Sequence, residues 1–418
     1  MEIRSDGKEV PLNLTKGIGR TTKSELRYQS TDDEERFIKN GQQLLILSFN
    51  TFTKYAGFYT LEYGRSETPV LVNSLPNSFP SIRKAKKAEM YLIQKANINE
   101  SELFWTNNLK QFEKLTDISR QQKTFNWLNT ELVKWKMFDG KESEGLLFKP
   151  ENFDPSKKYP IIFYFYEKNA DGLFNYRVPA PSASTINIPY FVSNGYLVFD
   201  PNIYYKDGDP GESAYNSVVS AAKKLSKLSY VDSTKMAIQG QSWGGYQVAY
   251  LITRTKIFAA ASAGAPVANM TSAYGGIRWG SGLSRQFQYE RSQTRIGATL
   301  WQRRDLYIKN SPLFSADKIV TPLLIMHNDK DGAVPWYQGI ELFTAMRRLH
   351  KKVWLLQYND EDHNLVERRN RKDLSVRLSQ FFDYYLKGAP APRWITEGVP
   401  AIEKGIDWGT EIGGKKAF

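Results

Sequence analysis

One stretch concentrates residues whose types and spacing could do chemistry: Lys235-Met236-Ala237-Ile238-Gln239-Gly240-Gln241-Ser242-Trp243-Gly244-Gly245-Tyr246. Gly240-x-Ser242-x-Gly244 is a nucleophile-elbow pattern. A Ser hydroxyl attacks poorly unless a base reaches it and its substrate side is open. A sharp strand-to-helix turn lifts it clear, and that turn needs residues without a Cβ two positions before and two after. The helix that follows aims its first N–H groups at the same point, where an oxyanion would develop. The N–H of Trp243 is the candidate donor. A base is also required, and the chain holds 3 histidines. His350 ends a helix before Lys351-Lys352 and reads as a surface or helix-end residue. His327 ends an apolar strand and reads as a buried, hydrogen-bonded His. His363 lies in the polar loop Asn359-Asp360-Glu361-Asp362-His363-Asn364, straight after the last expected strand, where a base is needed. Between Ser242 and His363, the loop Asn328-Asp329-Lys330-Asp331 follows another strand. Asp329 and Asp331 both qualify by position as the acid.

The order Ser242, Asp, His363 matches that of α/β-hydrolases and neither of the other two serine-hydrolase orders. The implied chemistry is acyl transfer. Ser242 attacks a carbonyl, His363 takes its proton and hands it to the leaving group, and the carboxylate fixes the imidazole tautomer. The acidic residues around His363 could suggest a metal site, but a second suitably spaced His is missing. No metal or cofactor is expected.

The elements that must position these residues fall into two blocks. Residues 1–130 read as β structure, with strands at Leu44–Phe49, Gly57–Tyr63, Glu89–Ile93 and Leu103–Asn107. A faint repeat of about 45 residues, each of four short strands, suggests β-propeller blades, of which about two would fit. Residues 131–418 begin with a hairpin around Asp139-Gly140. Strands and helices then alternate, as in a largely parallel α/β sheet: strands Ile161–Tyr166, Gly195–Asp200, Met236–Gln239, Phe258–Ala263, Leu323–His327 and Val353–Tyr358, and helices Ala214–Leu228, Gln338–Leu349 and Asp373–Lys387. The tail after Gly388 is expected to run extended over the surface. An insertion at 264–310, rich in Gly, Arg and aromatics, should roof the site. The expected fold is thus an α/β-hydrolase domain preceded by a partial β-propeller.

Composition excludes several classes. With 418 residues, 41% hydrophobic and 14% aromatic, the chain can bury a large core. It has 0 cysteines, which rules out disulfides, thiolate catalysis and Cys-ligated metals. The net charge of +13 is spread over pairs such as Lys223-Lys224 and Arg303-Arg304 rather than one run. No nucleic-acid module signature is present. No apolar run approaches the ~20 residues of a membrane span. Met1 to Asp6 show no apolar h-region, so no signal peptide is expected there.

Several of these stretches together resemble the prolyl oligopeptidase (S9) family of serine peptidases. Gly240-Gln241-Ser242-Trp243-Gly244-Gly245-Tyr246 is similar to the family's extended elbow. His327-Asn328-Asp329-Lys330-Asp331-Gly332-Ala333-Val334-Pro335 is similar to its acid segment, and that match selects Asp331. Asp360-Glu361-Asp362-His363 resembles the loop carrying its His. The resemblance covers about 130–388 and is nearest to S9-type peptidases of Bacteroidetes-like bacteria. It implies hydrolysis of short peptides, in the manner of dipeptidyl or acylaminoacyl peptidases. It also implies a second oxyanion donor at Tyr166, and a substrate-pocket wall built of Trp243, Val267, Tyr274 and Val334. Departures are Glu167-Lys168-Asn169 in place of Gly-Gly-Pro, Gly332 in place of a second Asp, and Ala333 in place of a polar residue that holds the substrate carbonyl. In the family a full propeller filters substrates by size, and two blades suggest a truncated product or a fragment. Exposed blade edges would favour a homo-oligomer. The resemblance allows either a periplasmic or a cytoplasmic location. An esterase with the same triad, or an inactive binding protein, are the alternative readings.

Overall fold

The computed structural model describes residues 8, 10–32, 34–65 and 67–413. The stretch Met1 to Asp6, read above for a leader, lies outside the described residues. The chain divides into two compact units, one reaching Trp127 and taking in Asp171–Arg177, the other formed by Leu128–Ala170 and the rest.

The first unit holds two antiparallel four-stranded sheets, β1 to β4 and β5 to β8, each strand pairing with its neighbour in sequence. The strands are β1 (Ser24–Gln29), β2 (Gln43–Asn50), β3 (Ala56–Glu62), β4 (Val70–Leu75), β5 (Ser78–Lys84), β6 (Tyr91–Ala96), β7 (Ser101–Thr106) and β8 (Glu113–Lys114). This is the two-blade pattern expected from the repeat. β6 starts two residues later than the hydropathy suggested, because Glu89 sits in the turn and pairs with Lys84 Nζ at 2.7 Å. Leu45, Phe58, Ile82, Ile93 and Leu109, drawn from both sheets, form one core cluster.

Along β7 the inward positions alternate as a half-buried strand demands, so Glu102 points in beside Phe104. Glu102 is 1% exposed. Its carboxylate accepts hydrogen bonds from Thr116 Oγ1, from Ile118 N–H at 3.0 Å, and from Ser119 N–H and Oγ at 2.7 and 2.6 Å. Burial alone would raise its pKa; these hydrogen bonds outweigh burial and hold it at about 2.

The second unit is built on an eight-stranded sheet in the order β18-β17-β14-β13-β11-β12-β10-β9. β9 (Leu128–Lys136) and β10 (Glu142–Pro150) form the expected hairpin. β11 (Tyr159–Tyr164), β12 (Leu197–Pro201), β13 (Val231–Gln241) and β14 (Ala260–Gly264) lead through a small hairpin, β15 (Ile277–Arg278) with β16 (Leu283–Ser284), to β17 (Leu323–Met326) and β18 (Val353–Leu356). The pairs from β11 to β18 are parallel. Strands covered on both faces must be apolar throughout, and Ile161, Phe163, Leu197, Phe199, Ile238, Leu323 and Ile325 accordingly sit in the main core with 0% exposure. Parallel strands direct their carboxyl ends to one edge of the sheet, where open α/β sheets bind ligands. The loops after β13, β17 and β18 carry Ser242, Asp331 and His363 to that edge.

Three helices matter for the site: α1 (Trp243–Arg254), α2 (Tyr337–Arg348) and α3 (Arg368–Phe382). α3 begins five residues before the expected start at Asp373. The run Arg368-Arg369-Asn370-Arg371-Lys372 hides the helix from a hydropathy reading. The buried Glu361 carboxylate nucleates it by accepting from Val366 N–H at 2.7 Å, Glu367 N–H at 3.0 Å and Asn370 Nδ2 at 2.7 Å. The tail is not simply extended either: Arg393–Thr396 is a short helix whose buried Arg393 pairs with Asp407 and Glu411.

Glu102 yields a test of the first unit. Its folded pKa of about 2 lies below the ~4.3 of an unfolded Glu. Its contribution to stability is therefore complete above ~4.3 and is lost as pH falls toward 2. Glu102→Gln should cost about 2 kcal/mol at pH 7 and remove the corresponding loss at pH 3. Urea unfolding followed by tryptophan fluorescence at both pH values would show it.

Candidate active site

Ser242 joins β13 to α1 at φ 60° and ψ −116°, a conformation that L residues hold only where their surroundings over-determine it. The surroundings do so. A Cβ at Gly240 would lie 2.5 Å from the backbone of Gly244, and one at Gly244 would lie 2.6 Å from the carbonyl of Phe165. Neither glycine can be replaced without opening the elbow. Ser242 N–H donates to Gly264 O at 2.8 Å and Tyr246 N–H donates to Ser242 O at 3.0 Å, which ties the turn to β14 and to the helix. Ser242 thus precedes the first turn of α1, with Trp243 N–H at the helix start.

His363 Nδ1 lies 2.7 Å from Asp331 Oδ2. Asp331 Oδ1 accepts from Ala333 N–H and Val334 N–H, both at 2.8 Å. Asp329, equally placed by position, turns away and accepts Asp360 N–H at 2.8 Å. The two loops are knitted together. Asn328 Nδ2 donates to Asp362 O at 2.7 Å, and Asp362 Oδ1 accepts Gly332 N–H at 2.7 Å and His363 N–H at 2.6 Å. From the elbow itself, Gln241 Nε2 donates to His363 O at 2.8 Å. The acidic residues of the His loop serve this backbone scaffold. Among the described residues, no group of three or more His, Asp or Glu side chains is disposed to hold a metal ion.

Sequence reasoning left His327 without a part in the site, yet it touches the acid. It is fully buried. Its Nδ1 accepts Gly339 N–H at 3.1 Å, so the proton of the neutral ring sits on Nε2, 3.2 Å from Val334 O and 3.3 Å from Asp331 Oδ2. Two imidazoles therefore converge on one carboxylate oxygen. Burial alone would raise the pKa of Asp331; the hydrogen bonds from His327 and His363 outweigh it and hold the group well below the usual carboxylate range. The only prior signal was position, four residues before Asp331 at the end of a buried strand. Arg285 was also missed. It lies buried in the insertion, donates to Ala333 O, and donates to Tyr289 Oη at 3.2 Å, so it braces the acid loop from outside.

Ser242, His363 and Tyr166 line one cavity of about 560 Å³. Gln293 Nε2 donates to Tyr166 Oη at 2.9 Å, which leaves the phenolic proton to point elsewhere. Gln247 Nε2 donates to Tyr166 O at 2.9 Å and fixes the backbone beyond β11. The insertion roofs this cavity with Arg278, Phe287, Gln288, Ser292 and Gln293.

The four residues expected as a substrate-pocket wall are brought together, behind the cavity lining. Trp243, Val267, Tyr274 and Val334 do come together, in a buried cluster with Tyr246 and Tyr289 against which Tyr166 packs. None of them lines the open cavity at Ser242. The reason is close aromatic packing. Trp243 stacks on Tyr246 at 4.4 Å between ring centres and donates its indole N–H to Tyr205 Oη at 2.7 Å, while Tyr274 Oη donates to Glu290 at 2.6 Å.

With this geometry in hand, residues 182–389 match the model of the prolyl oligopeptidase family. The matched segment lies within the α/β unit. The chain is 26% identical over 273 residues to a Bacillus subtilis protein named uncharacterized peptidase YuxL, covering 61% of this chain and 39% of that one. It is 26% identical over 300 residues to dipeptidyl-peptidase 5 of Porphyromonas endodontalis, covering 67% and 39%. Its fold is similar to the solved structure of Pyrococcus horikoshii acylaminoacyl peptidase, with a TM-score of 0.65 at 19% identity over 84% of this chain and 55% of that one. The chain thus spans 39% of the length of those two curated relatives.

The His327 contact predicts a change in pH response. His327→Leu removes one donor from Asp331 Oδ2, strengthens the remaining bond to His363 and favours the imidazolium. The acidic limb of the rate of Ser242 labelling by a fluorophosphonate should move to higher pH by about half to one unit. His327→Gln, which restores an N–H donor, should move it back.

Proposed function

We propose that this protein is a serine peptidase that hydrolyses short peptides through an acyl-enzyme. One observation carries the reading: Ser242, on an elbow no other residue types could build, shares a cavity with His363, whose Nδ1 is 2.7 Å from the buried Asp331. The match of residues 182–389 to a peptidase family supports peptides as the substrate class.

In this reading the roles are those of a Ser–His–Asp triad. Asp331 accepts the Nδ1 proton of His363, which leaves Nε2 unprotonated to take the proton of Ser242. Oγ of Ser242 adds to the scissile carbonyl, and negative charge moves to the carbonyl oxygen. Trp243 N–H, at the positive end of α1, and the phenolic O–H of Tyr166 stabilise it. The imidazolium of His363 then protonates the departing amine. Water repeats the sequence to release the acid. The firm hold on Asp331 keeps it ionised throughout, so it supports the imidazolium without taking its proton.

A fluorophosphonate probe should label the protein at Ser242, and Ser242→Ala should abolish labelling. Asp331→Asn should lower peptide-amide kcat/KM by about 10³–10⁴-fold. Tyr166→Phe should lower kcat by about 10²–10³-fold with KM little changed. Hydrolysis of p-nitrophenyl esters without any turnover across a panel of peptide amides would overturn the peptidase reading.

A further inference from the structure

The cavity at Ser242 has an uneven charge. Its lining is made of hydroxyls, amides and aromatic rings, with Arg278 the one permanently charged side chain and no Asp or Glu among the described residues. The backbone of Arg278 is well fixed. It pairs with Leu283 across β15 and β16, and its carbonyl accepts Ser281 N–H at 3.0 Å and Gly282 N–H at 2.8 Å. Arg278 as a whole residue is half-buried. Three other arginines of the insertion are committed, Arg285 to Ala333 O and Tyr289, Arg295 to Glu167 at 3.2 Å, and Arg303 to Asp305 at 2.8 Å, while Arg291 and Arg304 are exposed and off this lining. Arg278 differs. Among the described residues, no carboxylate lies within 4.0 Å of its guanidinium and no hydrogen bond ties its side chain.

We propose that Arg278 is a specificity-determining residue, and that the cavity selects peptides bearing a carboxylate close to the scissile bond. This rests on the peptidase reading above. A partly desolvated guanidinium without a counter-ion is costly, and a carboxylate is the partner that matches its two parallel N–H donors. Asn364, on the same lining, accepts from Ser184 through Oδ1, and its Nδ2 offers an N–H donor for a further hydrogen bond to that group. The net charge of +13 draws an anionic peptide toward the site. A free peptide amine would meet Arg278 and no acid on this lining, so a cationic terminus is disfavoured there. The carboxylate has two sources, a free C-terminus just beyond the cleaved bond or the side chain of an acidic residue beside it.

The test uses the full chain and matched peptides around one core that it cleaves. One pair differs as C-terminal acid against C-terminal amide; the other pairs differ as Glu against Gln on either side of the cut. The expected result is a kcat/KM ratio of at least about tenfold in favour of the carboxylate in one of these arms. The arm that responds identifies the source. The ratio should fall toward one in Arg278→Gln, persist in part in Arg278→Lys, and shrink as salt is raised. Fluorophosphonate labelling of Ser242 in both variants verifies that the elbow is intact. Ratios near one in every arm of the wild type, or a ratio unchanged by Arg278→Gln, would overturn the inference and leave the peptidase reading standing, because both members of each pair are then cleaved. Failure to cleave any peptide amide removes the peptidase reading and this inference with it.

Discussion

At Ser242 the backbone is held at φ 60° and ψ −116°, and the rest of the site depends on that hold. A residue relaxed out of this conformation would turn its hydroxyl back along β13. Three features keep it in place: the contact between Gly240 and Gly244, the approach of Gly244 to the Phe165 carbonyl, and the bond from Ser242 N–H to β14. Each ties the elbow or the start of α1 to a strand of the central sheet or to the residue that follows one. The elbow is therefore only as firm as the packing of β11, β13 and β14, whose stretches 161–163, 236–241 and 260–264 are buried. Strain at a functional residue persists where its neighbours leave it no alternative.

Around that fixed point the other groups are positioned by hydrogen bonds from several elements. The Asp331 carboxylate is held by two backbone N–H groups of its own loop and approached by two imidazoles. Lone pairs so fully occupied leave the carboxylate little freedom to rotate, which fixes the ring of His363. His327 in turn is oriented by Gly339 N–H at the start of α2, where a Cβ would lie 2.6 Å from the His327 ring. The network runs outward from the reacting atoms to the packing of helix on sheet.

The insertion between β14 and β17 contributes differently. It adds the buried Arg285, which braces the acid loop, and the wall carrying Arg278, Phe287 and Gln293. The framework of the family thus supplies the shared chemistry, while this segment supplies the polarity of the space in front of it. Trp243 has a double setting as well. Its backbone N–H opens α1 next to Ser242, and its indole is locked into the aromatic cluster behind it.

Much of this was legible in the sequence, because the signals were local. Glycines two residues either side of Ser242, an apolar run before it and a helical run after it define an elbow on steric grounds alone. Three histidines, each with its own neighbourhood, narrowed the base to His363, and a loop match preferred Asp331 to Asp329. The alternation of strands and helices in the second unit, and of short strands in the first, follows from side-chain periodicity. What tertiary structure decided were contacts between residues distant in sequence or hidden by polarity. Glu361 starts α3 within a run of charged residues that carries no apolar pattern. His327 reaches Asp331 because the end of β17 and the start of α2 close on each other. The aromatic residues expected to face substrate pack on one another in a buried cluster. Local sequence sets which conformation each segment prefers; which side chains then compete for the same carboxylate, or the same space, is settled only when the sheet brings their loops to one edge.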